Sequence, residues 1–221
     1  MLERLHFNKD TMRELLKIAL PMVVSQGAFA VMIFTDRYFM SQIDPTHMAA
    51  ALGGGVACFF SFCFFSGLLS YGNAMAAQYL GAGEPEKCPK VVTQGFIMAM
   101  MSIPALVVIT YFVSGIFENM GHDPRQVELE RTYYIILMLG IVVTLAKICL
   151  SSYFAGIART HVVMICDVFG LVINVPLSYV MVFGKLGLPA LGIVGAGTVS
   201  YTHIRAHETE AELVCRLLLE K

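Results

Sequence analysis

The chain has 221 residues, 57% of them hydrophobic and only 14% charged, with a mean hydropathy of +0.71; so apolar a composition calls for lipid around it. The formal net charge of −1 and a pI near 6.6 exclude the basic field that would favour nucleic acid as a partner. The six cysteines, Cys58, Cys63, Cys88, Cys149, Cys166 and Cys215, sit mostly in apolar runs without CxxC or His-spaced metal patterns, so they read as reduced packing residues and no metal site is expected.

From the N-terminus, the polar stretch Met1 to Lys17 leads into an apolar run with no small-residue cleavage site. No cleavable signal is expected, and the first helix stays in the mature protein. A hydrocarbon core of about 30 Å needs about 20 apolar helical residues. Residues 18–35 carry no charge and form the first candidate. Residues 45–83 carry none either, but this run is longer than one helix and must begin in a loop around Asp44-Pro45. Residues 91–117 form the third, Thr132 to Ala158 the fourth with Lys147 inside it, and Val162 to Gly184 the fifth with Asp167 inside it. A sixth begins near Ala190.

These runs lack two-residue alternation and exceed the length of a barrel strand, about 9–11 residues. Breakers fall between them at Asp44-Pro45, Gly81 to Pro85, Gly121 to Pro124 and Gly184 to Pro189. Pro21, Pro104 and Pro176 lie within spans, where neighbouring helices satisfy the freed carbonyl and the helix bends. The expected fold is an all-α membrane protein, a bundle of five complete transmembrane helices plus a truncated sixth. Arg4, Lys9, Arg13, Lys17, Lys87, Lys90 and Arg159 gather on one side, against Arg37, Arg125, Arg131 and Lys185 on the other. That asymmetry places the N-terminus in the cytoplasm of a multi-pass cell-membrane protein.

Several polar residues interrupt the apolar runs. Asp167, Asn174 and Ser178 follow one another at seven and four residues on the fifth span and share a helical face, as a lining of protein or water or as interhelical hydrogen-bonding glue. Ser66, Ser70 and Asn73 repeat at helical spacing on the second, for packing or for lining a cavity. Gly53-Gly54-Gly55 has no Lys-Ser/Thr after it, so it is a place of close helix approach and not a phosphate loop. Lys147 near mid-span needs a partner or must snorkel to an interface; by helical rise it can meet Asp36, with Asp167 as second choice. No nucleophile–base arrangement or metal motif points to an enzyme.

Composition changes abruptly after Ser200, and a spanning helix cannot continue through His203, Arg205, His207, Glu208, Glu210 and Glu212. Val199-Ser-Tyr-Thr-His-Ile-Arg-Ala-His-Glu-Thr209 resembles, apart from Ile204, the translation of a transposon-end sequencing adaptor, and residues 213–221 resemble its continuation. Residues 1–199 are accordingly expected to be the natural transmembrane lobe and 200–221 a non-native tail, so that His203 and His207 are not metal ligands.

Residues 12–199 resemble the N-terminal lobe of MATE transporters. The resemblance is carried in order by Ala19-Leu-Pro21, Phe34-Thr-Asp36, His47-Met-Ala-Ala50, Ala76-Ala-Gln78-Tyr-Leu-Gly81-Ala-Gly83 and Gly156-Ile-Ala-Arg-Thr160. It is strongest from Asn174-Val-Pro-Leu-Ser178 through Phe183-Gly-Lys185 to Gly187-Leu-Pro189-Ala-Leu-Gly192-Ile-Val-Gly195. It implies one lobe of a twelve-helix, two-lobed antiporter that exports drug-like or metabolite organic cations against protons or sodium, lies in the lipid bilayer and requires a C-terminal lobe missing here. No cofactor beyond the coupling ion is implied. Asp36 becomes the coupling carboxylate, with Asn174 and Ser178 beside it; helical rise alone also allows a solvated Asp36 at the outer interface next to Arg37. The family commonly has a second carboxylate where this chain has Ser178. Gln26, Asn73, Lys147 and Asp167 are the cavity-lining candidates. A lipid-linked precursor flippase of the same superfamily would want an arginine-rich cavity, and a non-transporting membrane fragment is the other alternative.

Overall fold

The computed structural model describes residues 9–185 and 191–199, and every described regular element is helical. In order these are α1 (Lys9–Ser41), α2 (Pro45–Ser70), α3 (Gly72–Gly81), α4 (Cys88–Ile116), α5 (Pro124–Leu139), α6 (Ile141–Gly156) and α7 (Thr160–Phe183), followed by a helical run over 192–199. Four are long and apolar enough to cross a membrane: α1, α2 with α3, α4 with its flanking turns, and α7; α5 and α6 supply a fifth span if counted together. Large apolar side chains such as Phe60, Met101 and Tyr111 point outward on these helices, the arrangement a lipid solvent requires.

Local chemistry sets the helix starts and stops. At α2 and α5 an aspartate caps the helix and a proline takes the first position: Thr46 N donates to Asp44 Oδ1 at 3.0 Å and Arg125 N to Asp123 Oδ1 at 2.9 Å. Each cap satisfies an otherwise orphaned amide, and proline costs nothing where no amide partner exists. At its other end α7 stops on Gly184, whose φ of 66° is left-handed and suits glycine.

The fourth expected span is corrected in two respects. Helix begins at Pro124, eight residues before Thr132, and takes in Arg125, Glu128, Glu130 and Arg131; it then breaks at Gly140, where α5 and α6 meet at a 47° bend. The apolar run alone set the start at Thr132, but the Asp123-Pro124 cap starts the helix eight residues earlier. The second run likewise divides at Tyr71 into α2 and α3.

Close helix contacts follow the small residues. A Cβ on Gly54 would stand 2.9 Å from the Glu130 carbonyl oxygen, and one on Gly53 2.7 Å from Glu130 Oε1, so these glycines bring α2 onto α5. The main core joins α2, α4, α5 and α6 through Cys58, Leu106, Tyr134 and Leu145, with the Tyr134 hydroxyl 2.9 Å from Ser61 Oγ. Cys58, Cys63, Cys88 and Cys149 are free thiols. The expected tail, with Leu213, Leu217, Leu218 and Cys215, lies outside the described residues, as do Arg4 and Ala190.

Candidate functional site

α1 and α7 run parallel in one constant register. Thr160 Oγ1 donates to the Ile18 carbonyl at 3.1 Å, Ser25 Oγ bonds Asp167 Oδ2, and Ser178 Oγ donates to Asp36 Oδ1 at 2.8 Å; in each pair the residues are 142 apart. The seven-and-four spacing on α7 puts Asn174 and Ser178 on the face that meets α1, and both are fully buried, with Asp36 8% exposed. Of the two placements open to Asp36, the interior one is found. A buried carboxylate needs a donor or a counter-ion, and the Ser178 hydroxyl is one such donor.

Asn174 stands one turn below Ser178, its Oδ1 3.4 Å from Ser178 Oγ, while its Nδ2 has no hydrogen-bond partner among the described residues. An unsatisfied amide at zero exposure is uncommon and asks for an explanation. Asp36, Ser178 and Asn174 thus bring carboxylate, hydroxyl and amide together between two helices, a set of oxygens suited to a proton or a hard cation.

The first-choice partner of Lys147 is corrected. Its Nζ lies 2.7 Å from Asp167 Oδ1, not on Asp36. Depth explains this: Asp167 is eleven residues before Ser178 on α7, so it lies about 16 Å below the Asp36 level, beyond what one lysine bridges from a single position. Lys147 pairs with Asp167 and Ser25 bonds that same carboxylate, which ties α6, α7 and α1 together at one level.

A cavity of about 500 Å³ opens between α1, α2, the α5–α6 bend and the 192–199 helix, and Asp36, Arg37, Tyr133 and Lys147 are among its walls. Asp167, Asn174 and Ser178 stand behind the wall on α7 and do not line it. Neither do Gln26, which is exposed, and Asn73, which is half-buried with its carbonyl against Gly156.

A second polar cluster escaped the sequence reading. Glu130, 1% exposed, accepts from Gln126 Nε2 at 2.8 Å, and its Oε2 lies 3.1 Å from His122 Nδ1. The signal was present as His122, Gln126 and Glu130 at successive four-residue intervals; Gln126 and Glu130 lie one turn apart on α5, and His122 stands just before the Asp123 cap. Nearby, Asp44 is held below its ordinary value chiefly by the Thr46 backbone amide, then by the Thr46 side chain, with Arg125 contributing at 3.7 Å. Among the described residues no group of three or more His, Cys, Asp or Glu is placed to hold a metal ion.

Comparison with known proteins agrees with this architecture. The MatE family profile matches residues 21–180. The chain is 30% identical over 193 residues to the probable multidrug resistance protein NorM of Bacillus subtilis, covering 87% of this chain and 43% of that protein. It is 31% identical over 190 residues to the multidrug resistance protein MdtK of Edwardsiella ictaluri, covering 85% and 41%. In fold it is similar to the eukaryotic MATE transporter AtDTX14, with a TM-score of 0.76 at 20% identity over 90% of this chain and 45% of that one. An outward-facing MATE family multidrug resistance transporter gives 0.74 at 18% identity, over 87% and 42%. The chain thus spans less than half the length of these relatives. With the family profile matched over most of its length, the chain belongs to the MatE family.

Proposed function

We propose that this chain is the N-terminal lobe of a cation-coupled antiporter that exports drug-like or metabolite organic cations, with Asp36, Asn174 and Ser178 as its coupling site. Residues 1–199 form the lobe, with five spans and a short sixth, and residues 200–221 are a non-native tail. The observation that carries the reading is the buried Ser178-to-Asp36 bond beside the unsatisfied Asn174 amide. Protonation or sodium binding changes the charge of a carboxylate in low dielectric, and so biases the packing of the two helices that hold it. Ser178 in place of a second carboxylate leaves Asp36 as the one acid of this trio, which suits a monovalent ion. The N-terminus is cytoplasmic. In support, Thr160 bonds Ile18, which puts Arg159 at the same end as Arg13 and Lys17.

The flippase alternative is less favoured, since among the described residues Arg37 is the one arginine lining the cavity. In drug-sensitive bacteria carrying the complete two-lobed transporter built on this lobe, Asp36→Asn should abolish ion-dependent efflux of ethidium at unchanged expression. Efflux equal to the unsubstituted protein would refute the coupling role. The chain expressed alone should give no efflux, and efflux from it alone would remove the need for a second lobe.

A further inference from the structure

Two rungs of the α1–α7 seam hold a carboxylate, and they are built alike. In the upper one Asp36 on α1 accepts from Ser178 on α7; in the lower one Asp167 on α7 accepts from Ser25 on α1, and both pairs are 142 residues apart. Acid and serine thus change helices from one rung to the other, but the donor set is the same. The lower rung, about 16 Å beneath the upper, differs in one respect: the Lys147 ammonium reaches in from α6 and sits 2.7 Å from Asp167 Oδ1. One oxygen of this carboxylate therefore rests on a hydroxyl and the other on a cation carried by a flexible four-carbon stem.

The two partners of this ion pair differ in their freedom. The Asp167 side chain is 11% exposed and the Lys147 side chain 28%; Lys147 also forms part of the cavity wall, whereas Asp167 stands behind it. The acid is held between helices while the lysine has open volume beside it. Withdrawing the ammonium alone would strand a nearly buried charge, so Lys147 leaves only as another positive charge arrives. A small monovalent cation meets that demand: hard cations take oxygen ligands, and the carboxylate and the Ser25 hydroxyl supply them. The ammonium keeps its proton and turns into the cavity, so the charge between the helices is unchanged. A group on a short tether competes at an effective concentration on the order of millimolar, a level that sodium salts readily reach.

We propose that Asp167 and Ser25 form a second cation site, separate from Asp36, Asn174 and Ser178, which the chain's own Lys147 ammonium fills and which a sodium ion enters by displacing that ammonium into the cavity. The inference goes beyond the coupling role proposed for Asp36 and does not depend on it. Lys147 acts here as a tethered competitor: its removal exposes the site to sodium, and removal of the Asp167 charge abolishes the site.

The full 221-residue chain carrying Asp36→Asn, so that the upper rung has no carboxylate, is placed in lipid nanodiscs and reductively methylated with formaldehyde and a borane. The reaction is run in sodium chloride and in choline chloride of equal ionic strength, and digestion with mass spectrometry reads the rate at each lysine. Methylation of Lys147 should be severalfold faster in sodium, approaching the rate in Asp36→Asn/Asp167→Asn, where it should no longer respond to sodium. Lys90, which is exposed, is the control and should react equally in both salts. Sodium-22 binding gives a second reading: Asp36→Asn/Lys147→Met should bind the ion at least about tenfold tighter than Asp36→Asn, and adding Asp167→Asn should abolish that binding. A Lys147 rate that sodium leaves unchanged, or sodium binding by the Lys147→Met variant that survives Asp167→Asn, would overturn the site. Either failure leaves the coupling reading standing if Asp36→Asn abolishes ion-dependent efflux. Conversely, normal efflux from Asp36→Asn together with a sodium-sensitive Lys147 removes the coupling role alone.

Discussion

Replacing Gly156 with alanine tests the tightest contact between α3 and α6. The added Cβ would lie 2.6 Å from the Asn73 carbonyl oxygen and 2.7 Å from Ala76 Cβ. Neither neighbour is the far end of a flexible chain: one is backbone, the other a fully buried alanine, so the helices themselves must separate. Overpacking of this kind costs about 1–3 kcal/mol. Gly27→Ala is the control, since a Cβ there meets nothing within 4 Å and alanine in mid-helix gains about 0.5–1 kcal/mol over glycine. Two identical chemical changes should therefore move stability in opposite directions. Thermal unfolding of the purified chain in detergent, followed by far-UV circular dichroism, reads each kcal/mol as about 2–4 °C for a chain of this length. Gly156→Ala should melt several degrees below the parent and Gly27→Ala at or above it. A Gly156→Ala protein as stable as the parent would show that α3 and α6 do not approach so closely.

Three further outcomes are expected. Lys147→Met leaves Asp167 largely buried without its ammonium and should cost about 3–5 kcal/mol, with Asp167→Asn added to it restoring most of the melting temperature; no recovery would mean that the lysine acts through its packing. Tyr134→Phe should cost only about 0.5–1.5 kcal/mol, because both partners of its hydroxyl, Ser61 and Thr110, keep bonds of their own, to the Ala57 and Leu106 carbonyls, each at 2.7 Å; a larger fall in melting temperature would show that the hydroxyl does more than bond these two. The Asp44 cap, whose acidity the Thr46 amide increases, contributes stability that is present above the ordinary value of 3.8 and is lost as pH falls through the lower folded value. The protection of the first-turn amides of α2, taken relative to their intrinsic exchange rates, should fall over that acid window and cease to vary with pH in Asp44→Asn; an unchanged pH dependence of protection in the variant would refute the cap.

The long apolar runs were legible because a bilayer imposes a length and forbids charge, and α1, α4 and α7 lie where those two constraints put them. The α5–α6 pair was not. Its first turns carry Arg125, Glu128 and Glu130, and hydropathy alone assigns such residues to a loop, whereas Asp123-Pro124 is itself a helix-start signal. Asp167, Asn174 and Ser178 were readable as one face from spacing, but a period says nothing about the partner helix. The bond from Ser25 to Asp167 depends on how α1 registers against α7, and that register appears only once three pairs at one offset are seen together. The Lys147 pairing went to the second-choice acid because rise along an axis locates a Cα, while the ammonium reports where the side chain turns.

The constant offset between α1 and α7 limits how this pair can move. Ile18, Ser25 and Asp36 span eighteen residues, about five helical turns, so they return to one azimuth and the seam they mark is straight. Sliding one helix by a single residue advances it about 1.5 Å and swings each side chain through about 100°, so all three rungs come out of alignment together and no neighbouring register catches them. The two helices behave as a spar without intermediate notches: under the coupling role proposed for Asp36, an ion there would loosen or tighten the spar at one end, and the motion that followed would be a tilt or a splaying rather than a sliding stroke.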